Sequence, residues 1–210
     1  MKDVIIVGAG GFGREVVQII NDNNKIKREY NILGFIDDNA NALNGKKCNY
    51  AILDSISSHS PKSECIYICA IANPLLKEKI MLQLKQNGAK FESLIHHTVS
   101  VSEYASLGEG LVAYPNSWIG ADAIIGDFVT LLSSNIGHDA QVGSFTTISS
   151  NCDLTREVNI GKRCFLGSSV SIIPERKIGD DVYICAGSVV FTNVKEGRKV
   201  MGYPAKRVNL

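Results

Sequence analysis

From Ile95 to Val190 an aliphatic residue returns at almost every sixth position, and Gly often follows it. One track runs Ile95, Val101, Leu107, Ala113, Ile119, Ile125, Leu131. A second runs Ile136, Val142, Ile148, Leu154, Ile160, Leu166, Ile172, Ile178, Ile184, Val190. Sixteen of these seventeen positions are Ile, Leu or Val, in a chain that is only 45% hydrophobic. A period of six fits neither helical nor alternating-strand spacing. It predicts a parallel β-helix, in which short strands and tight turns coil so that one aliphatic residue per face stacks inside. Six-residue faces, three to a coil, predict a left-handed prism of about five to six coils. The two tracks meet at a spacing of five, Leu131 to Ile136. His138 stands two residues beyond, in Gly137-His138-Asp139.

Residues 1 to 93 read differently, as alternating strands and helices. Val4 to Val7 is a short apolar strand, and Phe12 to Ile20 has helical spacing through Val16, Val17, Ile19 and Ile20. Ile32 to Ile36 is a second strand ending at Asp37-Asp38, and Cys65 to Ile71 a third. Asn73-Pro74 opens a helix through Leu75, Ile80, Met81 and Leu84, which Asn87-Gly88 closes. Phe91 to Ile95 hands over to the repeat. This pattern predicts parallel pairing and a Rossmann-like half-domain over 1–93. The β-helix then occupies 94–210, with a tail from Glu196 to Leu210 that breaks the period and is expected to leave the prism.

The balance of 22 basic and 21 acidic residues argues against a nucleic-acid surface or a membrane patch. No apolar stretch approaches the roughly 20 residues needed to cross a bilayer. Met1 to Val7 has none of the marks of a secretory leader, so a cytoplasmic protein is expected. The six cysteines lack zinc spacing, and no His/Cys/Asp cluster suggests a metal. Cys152 and Cys164 each lie four places after a track residue, where the coil wants a small buried side chain. They are read as packing thiols in a reducing compartment.

Two places carry chemistry. Gly8-Ala9-Gly10-Gly11-Phe12-Gly13 lies between a strand and a helix, where glycines permit close backbone approach and free helix N–H groups face an anion. Asp37 and Asp38 end the next strand, where dinucleotide folds place a ribose-binding acid. Some 93 residues supply one mononucleotide-sized half, so a phosphorylated or nucleotide-linked ligand is expected. His138 is the candidate base, since imidazole titrates near neutrality and Asp139 can hold the ring. His96 and His97 at the domain junction, and His59 in a Ser-rich loop, are read as surface residues. No Ser-His-Asp or Cys-His nucleophile can be assembled, so direct transfer is the simpler mechanism.

The glycine loop, Gly34-Phe35-Ile36-Asp37-Asp38, the hexapeptide track, Gly137-His138-Asp139 and Gly202-Tyr203-Pro204-Ala205-Lys206 occur here in one order. Together they resemble the bacterial sugar acetyltransferases that include the nucleotide-4-amino-sugar N-acetyltransferases and the sialic acid O-acetyltransferases. The resemblance covers nearly the whole chain. It implies a homotrimer of left-handed β-helices, acetyl-CoA in a groove between subunits, and a UDP- or dTDP-linked sugar on the N-terminal domain. By position it makes His138 the general base and Asp139 the acid beside it, more often Glu in the family. Gly10, Gly11, Asp37, Asp38 and Ala72 match nucleotide-sugar contacts, with Phe12 in the same loop where some relatives carry His. Thr147, Ser168 and Ala186 match acetyl-CoA contacts, Thr147 standing where some relatives have His. The expected activity is acetyl-CoA-dependent N-acetylation of the 4-amino group of such a sugar, in surface-glycan synthesis, with backbone N–H groups of a coil stabilising the oxyanion. O-acetylation of a sialic acid-type sugar and a non-catalytic trimeric scaffold are the alternatives.

Overall fold

The computed structural model describes residues 1–209, so only Leu210 of the tail lies outside the described residues. The N-terminal part contains β1 (Lys2–Val7), α1 (Gly11–Ile26), β2 (Tyr30–Ile36), β3 (Ile52–Asp54), β4 (Cys65–Cys69), α2 (Pro74–Gln86) and β5 (Lys90–Phe91). Its sheet has the order β3-β2-β1-β4-β5, with every pair parallel. Continuous apolar runs such as Val4-Ile5-Ile6-Val7 suit strands covered on both faces. The sequence reading missed β3 and β5, whose few residues carry no period.

Both helices differ from expectation in an informative way. The first buries Val16, Ile19 and Ile20 as expected, with Gly13 buried beside them and Val17 half-buried, but continues to Ile26. The second starts as read: the Asn73 side chain accepts the Leu76 N–H at 3.0 Å, and Pro74 opens the first turn. Gly88, at φ +95°, ends it. Its buried stripe, however, is Pro74, Lys77, Ile80, Met81 and Leu84. Leu75, expected in the core, is 63% exposed, while Lys77 is fully buried.

From Leu94 onward the chain is a left-handed parallel β-helix. Its first face stacks Leu94–Ile95, Val112–Ala113, Thr130–Leu131, Thr147–Ile148, Phe165–Leu166 and Tyr183–Ile184. The second stacks the strands from Ser100–Val101 to Val189–Val190, and the third those from Ser106–Leu107 to Lys177–Ile178. These strands form between five and six coils, as the period requires. The second residue of each strand is the track residue, and together they build the inner core. Leu107 is the exception at 37% exposure, because its strand ends the third face and has a neighbour on one side only.

From Gly110 to Gly187 one residue at each corner adopts left-handed φ, and between Asn116 and Asp181 none of these is glycine. Each such residue costs about 1 kcal/mol, which the stacked ladder must offset. The glycine after the track residue answers a different need. A Cβ on Gly120 would sit 2.7 Å from the His138 nitrogen, and one on Gly137 would sit 2.6 Å from the Thr155 carbonyl carbon. Only a hydrogen lets one corner lie this close beneath the next.

The break in the track is a shortened corner. Val101 pairs with Ile119, and Ile136 with Leu154, but between them Ile119 pairs with Ile136, an interval one residue shorter. The loss falls at Leu132-Ser133-Ser134, where the Ser134 hydroxyl bridges the Ser149 carbonyl (2.7 Å) and the Cys152 N–H (2.8 Å). This corner precedes the strand Asn135–Ile136, and His138 follows it.

The tail stays on the prism longer than the broken period suggests. Lys199–Gly202 pairs parallel with Tyr183–Ile184 and buries Val200 on the core before Ala205–Arg207 folds back antiparallel. Val200 is an aliphatic inner residue reached after an insertion, so the six-residue count misses it. The N-terminal domain packs on the first face. Leu94 and Val112 join the cluster around Ile6, Val16 and Ile20, and the corner residues Phe128 and Phe145 join Tyr67 and Phe91.

Candidate active site

The glycine loop closes the C-terminal end of β1. Gly8, at φ +106°, lies where a Cβ would be 2.8 Å from the Ala70 carbonyl oxygen, so this loop and the one after β4 are pressed together. Gly10 and Gly11 are different: nothing lies within 4 Å of a Cβ on the first, and only the Arg14 guanidinium at 3.9 Å near one on the second. Gly10 caps α1 without a side-chain hydrogen bond, which leaves the helix N-terminus open toward an anion. Phe12 turns away, its ring 5.9 Å from that of Tyr114 on the β-helix. The Tyr114 hydroxyl donates to Glu15 (2.7 Å), and burial followed by this carboxylate pushes its pKa upward.

The two aspartates hold loops in shape. Asp37 accepts the Ala9 N–H at 2.7 Å with one oxygen and the Asn39 N–H at 2.8 Å with the other. Asp38 is exposed and accepts the Ser55 hydroxyl (2.5 Å) and the Ser57 N–H (2.9 Å), which lower its pKa. Behind them His59 is buried, contrary to its reading as a surface residue. Its ring nitrogens face Asp54 (3.1 Å) and the Tyr67 hydroxyl (2.9 Å), polar partners that make burial tolerable. His96 is buried too, and burial depresses its pKa, whereas His97 is exposed.

Ala72 and Thr147 meet directly, the Thr147 hydroxyl donating to the Ala72 carbonyl at 2.7 Å. The same oxygen accepts from Lys77 at 2.8 Å, and the ammonium also reaches Thr130 Oγ1 (3.0 Å) and the Thr146 carbonyl (3.2 Å). Sequence reasoning missed Lys77. Its signal was the helical spacing Pro74, Lys77, Met81, Leu84, which places a lysine on the buried stripe. A cleft of about 470 Å³ opens beside this contact, between Asn73-Pro74-Leu75 and the Phe165 and Tyr183 rings, which stack at 5.0 Å. Arg163 closes one side, paired with Asp181 and with Glu78 of α2. Ser168 and Ala186 are exposed at successive corners just past those rings, and the Ser168 carbonyl accepts the Gly187 N–H at 2.8 Å.

His138 and Asp139 stand at the corner between the second and third faces. His138 Nδ1 lies 2.6 Å from Asp139 Oδ2, and their side chains are 51% and 54% exposed. Asp139 takes the left-handed turn position (φ 59°), which directs its carboxylate back to the ring. With Nδ1 facing the carboxylate, Nε2 is the ring nitrogen on the far side from it. The chain passes through the first, second and third faces in turn, so this corner is the vertex opposite the first face. The glycine loop, Ala72 and Thr147 all belong to the first-face side. Within one copy of the chain the prism therefore separates His138 from the glycine loop.

Cys152 and Cys164 are buried in the coil as expected, and burial pushes the Cys164 thiol up to about 11. Among the described residues no cluster of His, Cys, Asp and Glu could hold a metal. No helix there is long and apolar enough to cross a membrane.

Residues 3–84 match the model of the PglD N-terminal domain, and residues 157–192 match that of the bacterial transferase hexapeptide, six repeats. Both halves of the chain are thus similar to parts of bacterial sugar acetyltransferases. GDP-perosamine N-acetyltransferase of Escherichia coli O157:H7 is 29% identical to this chain over 94% of the chain and 81% of its own length. The acetyltransferase domain of PglB from Neisseria gonorrhoeae FA1090 superposes with a TM-score of 0.89 at 23% identity, over 99% of this chain and all of that one. PerB from Caulobacter crescentus, solved with CoA and GDP-perosamine, gives 0.87 at 23% identity, over all of this chain and 98% of that one.

Proposed function

We propose that this acetyltransferase moves the acetyl group of acetyl-CoA to the 4-amino group of a nucleotide-linked amino-deoxysugar, in a trimer that completes each site from two copies. The observation that carries the reading is the placement of the exposed His138–Asp139 pair across the prism from an open glycine loop. A substrate anchored at one copy's loop reaches a base only on another copy. Closed rings of this kind generate identical shared sites. The expected nucleotide was UDP or dTDP; the Escherichia coli and Caulobacter relatives are named for a GDP-linked sugar, so GDP joins the candidates. Those names also favour N-acetylation over the sialic acid-type O-acetylation considered from sequence.

In this site Asp139 holds the Nδ1 proton and orients the ring, and Nε2 takes a proton from the attacking amine as the new C–N bond forms. Cleavage of the C–S bond then releases the CoA thiolate, to which His138 returns the proton. The cleft beside Ser168 and Ala186 offers aromatic and cationic groups to the extended co-substrate. The test is acetyl-CoA consumption against GDP-, UDP- and dTDP-linked 4-amino sugars, with wild type and His138→Ala. Turnover should fall by about 10² to 10⁴ in the variant, roughly 3 to 5.5 kcal/mol of barrier. Near-wild-type turnover in a folded variant removes His138 from the reaction.

A further inference from the structure

Lys77 is the one lysine on the buried stripe of α2, and it crosses from the N-terminal domain into the β-helix. Its side chain has no exposure, and its three partners are all neutral oxygens: Thr130 Oγ1, the Thr146 carbonyl and Thr147 Oγ1. An ammonium has three donors, so the protonated form matches this set one for one. Thr147 Oγ1 spends its single proton on the Ala72 carbonyl, so its lone pairs must receive Lys77. The result is one directed chain of hydrogen bonds, Lys77 to Thr147 to Ala72. It starts in α2, passes through the coil, and returns to the loop that precedes α2.

That loop lies where an open parallel sheet binds its ligand, at the carboxyl ends of the strands. The Ala70 N–H bonds the Val7 carbonyl at 2.9 Å, and the Ala70 carbonyl is pressed against Gly8. A shift of Ala72 is thereby passed to the glycine loop. Further interdomain ties act elsewhere: Tyr114–Glu15 and the Asn23 bonds to Ile95 and His97 hold α1, and Arg163–Glu78 and Lys85–Glu109 hold α2. None of these reaches the loop after β4.

We propose that Lys77 and Thr147 are positioning residues that fix the nucleotide-sugar loop at a set height on the β-helix, through the Thr147-to-Ala72 hydrogen bond. The inference rests on the acetyl-transfer reading above for its substrate. What the pair controls is where the acceptor amine sits relative to the acetyl group, an alignment in which about 1 Å of error can cost 10²-fold in rate. Thr147 is asked for its hydroxyl alone. Serine preserves that group, and valine preserves shape while removing it.

The test compares Thr147→Val, Thr147→Ser and Lys77→Met in the full-length protein. Thr147→Val should lower kcat/KM for the amino-sugar substrate by about 10- to 100-fold and keep a cooperative unfolding transition. Thr147→Ser should stay within about twofold of wild type. Hydrogen exchange gives a readout that needs no substrate. Amides of the peptide covering residues 70–76 should exchange faster in Thr147→Val and Lys77→Met, and at the wild-type rate in Thr147→Ser, while the coil from 153 to 190 is unchanged. Equal rates and equal exchange for Val and Ser overturn the proposal. Changed exchange without turnover on any amino sugar, wild type included, would count against the acetyl-transfer reading and leave the loop strap standing.

Discussion

Replacing Lys77 by methionine should change the pH dependence of stability in a way no surface lysine would. Burial, with only a weak opposing effect from Cys69, pushes the Lys77 pKa down from 10.5 to about 8. Its folded pKa lies below its unfolded one, so between these values the unfolded chain binds more protons and stability rises with pH. At pH 7 keeping the ammonium buried costs about 3 kcal/mol relative to water, and by pH 10 most of that cost is gone. The variant has no such group. The stability of wild type minus that of Lys77→Met should therefore increase by about 2 kcal/mol from pH 7 to pH 10. At either single pH the difference also contains three lost hydrogen bonds of about 1 kcal/mol each, so the change with pH is the informative quantity. Urea titration of both proteins at fixed concentration, at the two pH values, measures it. A difference that is flat with pH, or that moves the other way, would refute the argument that this lysine is held in a low-dielectric site.

Gly120→Ala should displace the His138 corner, because its new Cβ would stand 2.7 Å from the His138 nitrogen. Turnover should drop by roughly 10- to 100-fold with a stability loss of about 1–3 kcal/mol, read by steady-state kinetics and thermal melting. Gly11→Val enters open space, so it should raise KM for the sugar nucleotide while leaving KM for acetyl-CoA nearly constant; equal weakening of both would make the loop structural. Mixing His138→Ala and Gly11→Val subunits after denaturation and refolding, assayed at sugar-nucleotide concentrations far below the raised KM, should restore about a quarter of wild-type activity, since random assembly leaves that share of shared sites intact. No recovery from a properly reassembled mixture would place base and loop in the same copy. Sedimentation equilibrium should show a trimer, and a stable monomer at micromolar concentration would contradict the shared site.

Much of this protein is legible in one dimension because its order is local and periodic. Six-residue spacing sets the coil, glycines mark where corners stack, and a strand, a glycine loop and a helix follow one another within a dozen residues. His138 and Asp139 are neighbours in sequence, so their pairing needs no folding argument beyond a turn. Tertiary structure decided what depends on a surface brought from elsewhere. Lys77 is buried because Thr130, Thr146 and Thr147, distant in sequence, present three acceptors to it, whereas Leu75 faces solvent because no surface arrives to cover it. His59 is enclosed by Asp54 and Tyr67, and Val200 is drawn into the core by the open end of the last coil. Above all, only the closed prism shows that His138 and the glycine loop occupy opposite sides. The period counts residues along the chain, but which vertex faces which domain is settled by the docking of α1 and α2 on a single face.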